Sequence, residues 1–311
     1  MTRTPLRSLL AKRSPLGASL TPTTRDSSVA AGRTRHALWL PVTVAVALLL
    51  MPTVQAGLYT QNFSTATVGD TGTSLGDGSN IVGNLSGVAS VQNPGSSGNA
   101  LRLSDESNVG VNSFGNWYLP DFNSGVAVTS FTASFDSLIY KPGTINPANT
   151  GDFFGFNFGT ITGQTAFSNG NGGIQGPNAT NVLTVTFRTF GTNQIQVWYN
   201  NSQVGGSIGT PAVSSVVNSG AYQLTTISWD ASTGLSVNYG GSSLVSGLTI
   251  PGFTPAAGDT FAFNAFTAAA TQDVYIGNVS IQTVPEPSTS LIALAGLACG
   301  GFSMWRRRKR A

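Results

Sequence analysis

The chain has 311 residues, with 15 Lys and Arg against 12 Asp and Glu, one histidine and one cysteine. Seven cations precede residue 36 and five form Arg306–Arg310, so residues 57–284 hold three cations against ten acids, a balance of −7. An acidic centre excludes a nucleic-acid partner, because phosphate contacts need clustered Lys and Arg. His36 and Cys299 lie outside that centre. It therefore has no Ser-His-Asp triad, Cys-His pair, histidine zinc site or disulfide.

Residues 1–36 are rich in Ser, Thr and Arg without apolar periodicity, which favours disorder. They are long for the basic part of an export leader, which predicts a true translation start nearer Val29. Residues 37–56, ALWLPVTVAVALLLMPTVQA, follow Arg33 and Arg35 and end in Val54-Gln55-Ala56. This predicts a signal helix cut by signal peptidase after Ala56; an uncleaved anchor helix is the alternative.

Residues 57–284 suffice for one sizeable domain. Thr65–Ser97 is rich in Gly, Ser, Asn and Thr, and 168–177 reads as a polar glycine loop. From Phe131 onward the apolar positions alternate. FTASFDSLIY (131–140), DFFGFNFG (152–159) and LTVTFRTF (183–190) read as strands, as do Ile195–Tyr199, Tyr222–Trp229, Leu235–Tyr239, Thr260–Phe266 and Asp273–Ile281. In 183–190 the period sets Leu183, Val185 and Phe187 inward and Thr184, Thr186 and Arg188 outward. Short strands between Gly, Asn and Asp turns predict an all-β fold: a two-sheet antiparallel jelly-roll sandwich.

Ser288–Trp305 is eighteen residues without a charge, long enough for a single C-terminal transmembrane helix. Arg306, Arg307, Arg308, Lys309 and Arg310 follow and put the tail on the cytoplasmic side. Ala293, Ala295, Gly296, Ala298, Gly300 and Gly301 suit a membrane helix better than a soluble core helix, the alternative.

Val284-Pro285-Glu286-Pro287, an apolar helix and an Arg-rich end, in that order at the terminus, resemble the PEP-CTERM sorting domain. The resemblance implies export in a Gram-negative bacterium that makes exopolysaccharide. It also implies recognition by an exosortase, a membrane-embedded cysteine transpeptidase that cuts near the motif. The prolines keep the motif out of the helix and extended. The division is then a signal region (1–56), an extracytoplasmic sandwich (57–284) and a sorting signal (285–311), membrane-bound until sorted to the cell surface or matrix.

GDFFGFNFG (151–159), LTVTFRTFGTNQIQVWYNN (183–201), ISWDASTGLSVNYGG (227–241) and residues 247–281 resemble the concanavalin A-like lectin/glucanase jelly roll, with Leu101–Tyr140 supplying earlier strands. Where legume lectins carry the Glu and Asp that bind manganese and calcium, this chain has Thr186 and Arg188, so the resemblance implies no metal site. Their sugar-binding Asp corresponds to Asp152, which also fits an exposed turn carboxylate. The glucanases' alternating acidic motif is missing. Glu106 is the only glutamate of 57–284, and its neighbour Asp105 would point the other way along a strand. No catalytic residue and no cofactor are expected. Asp105, Glu106 and Asp121 are either a weak calcium set or solvated loop charges.

Two functions stay open. One is a carbohydrate-binding module, for exopolysaccharide or another glycan, using Asp152 with Trp117, Trp198 and Tyr199 as stacking rings. Trp117 and Trp198 also fit core positions. The other is a structural matrix protein without a specific ligand; a glycoside hydrolase is third.

Overall fold

In the computed structural model the described residues run from Ala56 to Glu286, except 86–87, 96–97, 109–111, 142–150, 162–179, 192, 209–219 and 269. They lie in a unit spanning Pro52–Ala311. The signal helix expected in 37–56 lies outside them except for Ala56. The transmembrane helix of 288–305, Pro287 and the basic end Arg306–Arg310 lie outside them too. Among the described residues no helix is long and apolar enough to cross a membrane.

Fifteen strands make up the fold among these residues: β1 (Leu58–Gln61), β2 (Asn80–Gly83), β3 (Ser90–Gln92), β4 (Ala100–Ser104), β5 (Ser113–Tyr118), β6 (Val128–Tyr140), β7 (Phe153–Gly159), β8 (Val182–Arg188), β9 (Gln194–Tyr199), β10 (Ser202–Ile208), β11 (Gln223–Asp230), β12 (Gly234–Tyr239), β13 (Ser242–Leu248), β14 (Thr260–Thr267) and β15 (Asp273–Pro285). One sheet runs β13-β12-β11-β6-β15-β4-β3 with β1 added alongside β15, and the other runs β10-β9-β8-β7-β14-β5-β2. All the pairings between named strands are antiparallel. The expected all-β two-sheet sandwich is the architecture found.

The core follows from the alternation. Phe131, Ala133 and Phe135 of β6 face Phe154, Phe156 and Phe158 of β7 and Phe261 and Phe263 of β14, all at most 2 % exposed. Phe135 meets Phe263 edge-on at 4.9 Å, and Phe131 meets Phe158 and Phe261 at 4.9 and 5.3 Å. Truncating one such ring to alanine costs about 3–5 kcal/mol. The hairpins have local causes. Asn200 and Asn201 both take positive φ, which closes the tight β9–β10 turn. Asp230 accepts from the Ser232 and Thr233 amides at 2.8 and 3.1 Å, turning β11 into β12.

The stretch 65–97, rich in Gly, Ser, Asn and Thr, contains β2 and β3. One expectation needs correction: Thr184 and Thr186 do not face solvent, for they point away from the core, yet both are fully buried.

The sandwich has two ends, or poles. At one, which we call the loop pole, β4, β6, β8 and β14 finish and β5, β7, β9 and β15 begin. At the other, which we call the tail pole, β15 finishes beside the start of β1 and the start of β6.

Candidate functional site

The three cations of 57–284 all gather at the loop pole. Arg102 on β4 pairs with Asp105 at 3.0 Å, and the Lys141 ammonium donates to the Thr271 carbonyl and hydroxyl at 3.1 and 3.2 Å. Arg188 ends β8 directly opposite Phe153, the first residue of β7.

Asp152 stands just before β7, and the Gly151–Asp152 peptide is cis. Its backbone is held from two sides. The amide donates to Phe266 O at 2.8 Å, while its carbonyl accepts from the Thr189 and Phe190 amides at 3.0 and 3.3 Å. The Thr189 hydroxyl also donates to Gln272 Oε1 at 2.6 Å, tying in the start of β15. Burial pushes the Asp152 carboxyl up to about 6, and nearby Arg188 offsets part of that rise. Phe190, whose amide donates to the Asp152 carbonyl, is 39 % exposed. Sequence reading missed Phe190, because it closed a run whose other aromatic, Phe187, faces the core.

Asp273 is a second elevated carboxyl at this pole. Burial raises it to about 6, against lowering by the Glu106 amide, which donates to its Oδ1 at 3.1 Å. Asp121 is not here. It lies between β5 and β6 at the tail pole, where its two oxygens accept from the Asn123 and Gly125 amides at 2.9 and 2.6 Å. The calcium set Asp105, Glu106 and Asp121 is thus split between opposite ends of β5. Among the described residues no three His, Cys, Asp or Glu converge as metal ligands. The manganese–calcium pair of legume lectins does not fit these residues, because Arg188 sets a cation there and Thr186 a buried neutral hydroxyl.

The three ring candidates part company. Trp117 is fully buried, stacked on Phe263 at 5.4 Å and tilted against Phe63 at 5.4 Å, so it offers no face to a ligand. Tyr199 is spent on structure: its hydroxyl donates to the Gly252 carbonyl at 2.9 Å, and its ring meets Phe253 at 5.4 Å. Trp198 is half-buried on the outward face of the seven-stranded sheet, opposite Thr184. From the start of β7, where Asp152 stands opposite the end of β8, it is four residues along and two strands away, about 16 Å at ordinary strand rise and spacing. Asp152 and Trp198 therefore do not share one monosaccharide-sized site.

That outward face has an order of its own. Register sets Gln196, Thr186, Gly155, Asn264 and Asn116 in one row, and Trp198, Thr184, Asn157, Ala262 and Tyr118 in the next. Asn157 bridges the rows, donating to Asn264 Oδ1 at 2.8 Å and accepting from the Thr184 hydroxyl at 2.8 Å. A side chain at Gly155 would strike the Asn264 amide, so the row needs glycine there. Among the described residues neither amide atom of Asn116 has a hydrogen-bond partner, although both are buried.

A protein-family profile described as the PEP-CTERM protein-sorting motif matches residues 283–309. No curated protein matches the chain. Solved structures similar to it include basic winged bean lectin with Tn-antigen (18 % identity, TM-score 0.52, covering 74 % of this chain and 100 % of that one). Arcelin-5, a lectin-like defense protein from Phaseolus vulgaris, is 16 % identical with a TM-score of 0.51, covering 74 % and 99 %. Lectin I from Ulex europaeus, in complex with the methyl glycoside of alpha-L-fucose, gives 16 % and 0.51, covering 74 % and 98 %. The chain therefore carries a PEP-CTERM motif behind a β-sandwich with the fold of legume lectins.

Proposed function

We propose that residues 57–284 form an exported, non-catalytic carbohydrate-binding sandwich. In this reading signal peptidase releases it after Ala56, and an exosortase sorts it through the terminal motif to the cell surface or exopolysaccharide matrix. The membrane holds it through 288–305 until then.

One observation carries the binding half: a half-buried Asp152 carboxyl with no donor among the described residues, on a backbone held by the Thr189 and Phe190 amides, with Phe190 itself exposed. A carboxylate accepts from sugar hydroxyls, and a ring face covers the C–H side of a sugar. The fold supports the reading, because two of the similar structures are lectins, one described with Tn-antigen and one with the methyl glycoside of alpha-L-fucose. Trp198 extends the surface along the outward face for a chain of sugars rather than a single ring.

Glycan-array binding by the mature secreted protein tests it. Saturable binding that disappears in Asp152→Ala and in Phe190→Ala, with melting unchanged, is the expected result. A uniformly blank array would favour the structural matrix protein without a ligand.

A further inference from the structure

The last core strand and the sorting motif overlap. β15 runs to Pro285, while the motif begins at 283. Thr283 is fully buried and pairs with Phe131; Val284 pairs with Ser130; after a bulge Pro285 stands opposite Val128. A bulge suits a proline, which has no N–H to give a ladder. The Val284 carbonyl accepts from the Thr129 hydroxyl at 3.2 Å, and the Glu286 amide donates to the Ala127 carbonyl at 2.8 Å.

The other side of the motif is walled by the start of the mature chain. Gly57, the first residue after Ala56, accepts from the Thr283 amide at 2.9 Å. A side chain at Gly57 would come within 2.7 Å of the Thr283 hydroxyl. β1 continues along Gln282–Val279. It is clamped by Asp77, which accepts from the Tyr59 hydroxyl at 2.7 Å and the Gln61 amide at 2.8 Å. Leu58, Val126 and Val284, at 62, 42 and 50 % exposure, surround the spot with apolar surface.

A cysteine transpeptidase needs that backbone free. Its thiolate adds to a peptide carbonyl, the C–N bond breaks, and the departing nitrogen takes a proton. The resulting thioester passes its acyl group to an incoming amine or water, and the thiol returns. A strand already paired with β6, and bonded at Thr283 to Gly57 on its other flank, cannot lie extended in a second cleft. We propose that the folded sandwich masks its own sorting motif, with the mature N-terminal strand as latch. The exosortase then acts on chains whose residues 283–286 have not zipped onto β6 and Gly57, or have peeled away. This rests on reading 283–309 as an exosortase substrate.

The test follows trimming of the full-length chain in cells that express the sorting enzyme. Ser130→Cys with Val284→Cys staples the register pair; antiparallel partners lie within disulfide reach, and 57–284 has no other cysteine. A four-residue Gly-Ser insertion after Thr283 frees the motif instead. Trimming is expected to slow at least tenfold in the stapled chain, to recover with reductant, and to quicken several-fold with the insertion. A staple that is formed and still trimmed at the parental rate overturns the mask. Should the stapled chain fail to fold, an insertion without acceleration overturns it alone. Parent and insertion both left untrimmed would instead sink the substrate reading, and the mask with it.

Discussion

The loop pole and the tail pole are built from the same strands but do opposite things with charge. The loop pole collects every cation of residues 57–284, together with Asp105, Glu106, Asp152 and Asp273. The tail pole has Asp77, Asp121, Asp230, Asp259 and Glu286, no cation among its described residues, and exposed Leu58, Val126 and Val284. Twelve steps of β15 separate them, about 40 Å at ordinary strand rise. The end at which β15 leaves the sandwich is thus the length of the domain away from the end where the cations and the Asp152 and Asp273 carboxyls gather. The difference teaches where each kind of group can be spared. At the loops Asp152 and Asp273 stay beside Arg188 and Arg102, while at the tail Asp259 is tied to the Ala256 amide and the Thr160 hydroxyl and backbone bonding closes the end.

The largest expected effect breaks the tail pole. Asp77 lies under two donations that clamp β1 and two from Ser79, at 2.9 Å from the amide and 2.6 Å from the hydroxyl. Burial pushes its carboxyl up, but the Ser79, Tyr59 and Gln61 donors outweigh that and hold it below the usual range. Asp77→Ala should destabilise by about 2–4 kcal/mol, read by urea unfolding, while glycan binding by the folded fraction stays intact. Next comes the loop pole: Asp152→Ala should weaken glycan binding about 10- to 100-fold, the worth of hydrogen bonds to a charged group. Titration calorimetry would check it, with trimming at the tail unaffected.

Smaller, and diagnostic of the loop pole, is the pH profile. Asp152 and Asp273 sit at about 6 in the fold against an ordinary 3.8. The folded state therefore takes up protons, and the stability this confers is complete below about pH 4 and lost as pH rises through 6. Each group should contribute about 1 kcal/mol or less after solvent screening, or about 2–4 °C in Tm between pH 7.5 and 5. Asp152→Asn together with Asp273→Asn should flatten that rise. Binding has the reverse sign, falling as Asp152 protonates below 6. Smallest is Trp198→Ala, expected to cost about 0.5–1.5 kcal/mol of binding to a long glycan and nothing for a monosaccharide.

The sandwich was legible because period-two alternation is written into β6, β7, β8, β11, β12, β14 and β15, where bulky residues recur at every second position. β2 and β3 were not, since three- and four-residue strands among Gly, Ser and Asn carry too little pattern. Asp152 could be singled out from its resemblance to a lectin position, but Phe190 could not. Its exposure depends on where β8 stops, and strand ends are poorly marked. The amide rows on the outward face stayed hidden for another reason. Asn116, Asn157 and Asn264 each read as an ordinary outward polar residue, and only strand register brings them side by side. Register too decided the fate of Trp117, whose neighbours in sequence are polar and aromatic alike.

β6 and β15, thirteen residues each, lie side by side inside the eight-stranded sheet, and the polypeptide departs from the far end of β15. A pull between that exit and a ligand held at the loops is directed along the strands. The ladder bonds lie crosswise to it and share the load in shear rather than tearing one by one. Opening the final few residues to an enzyme leaves Asp273–Gln282 gripped, so the same strand can be read at its tip while its body serves as a tether.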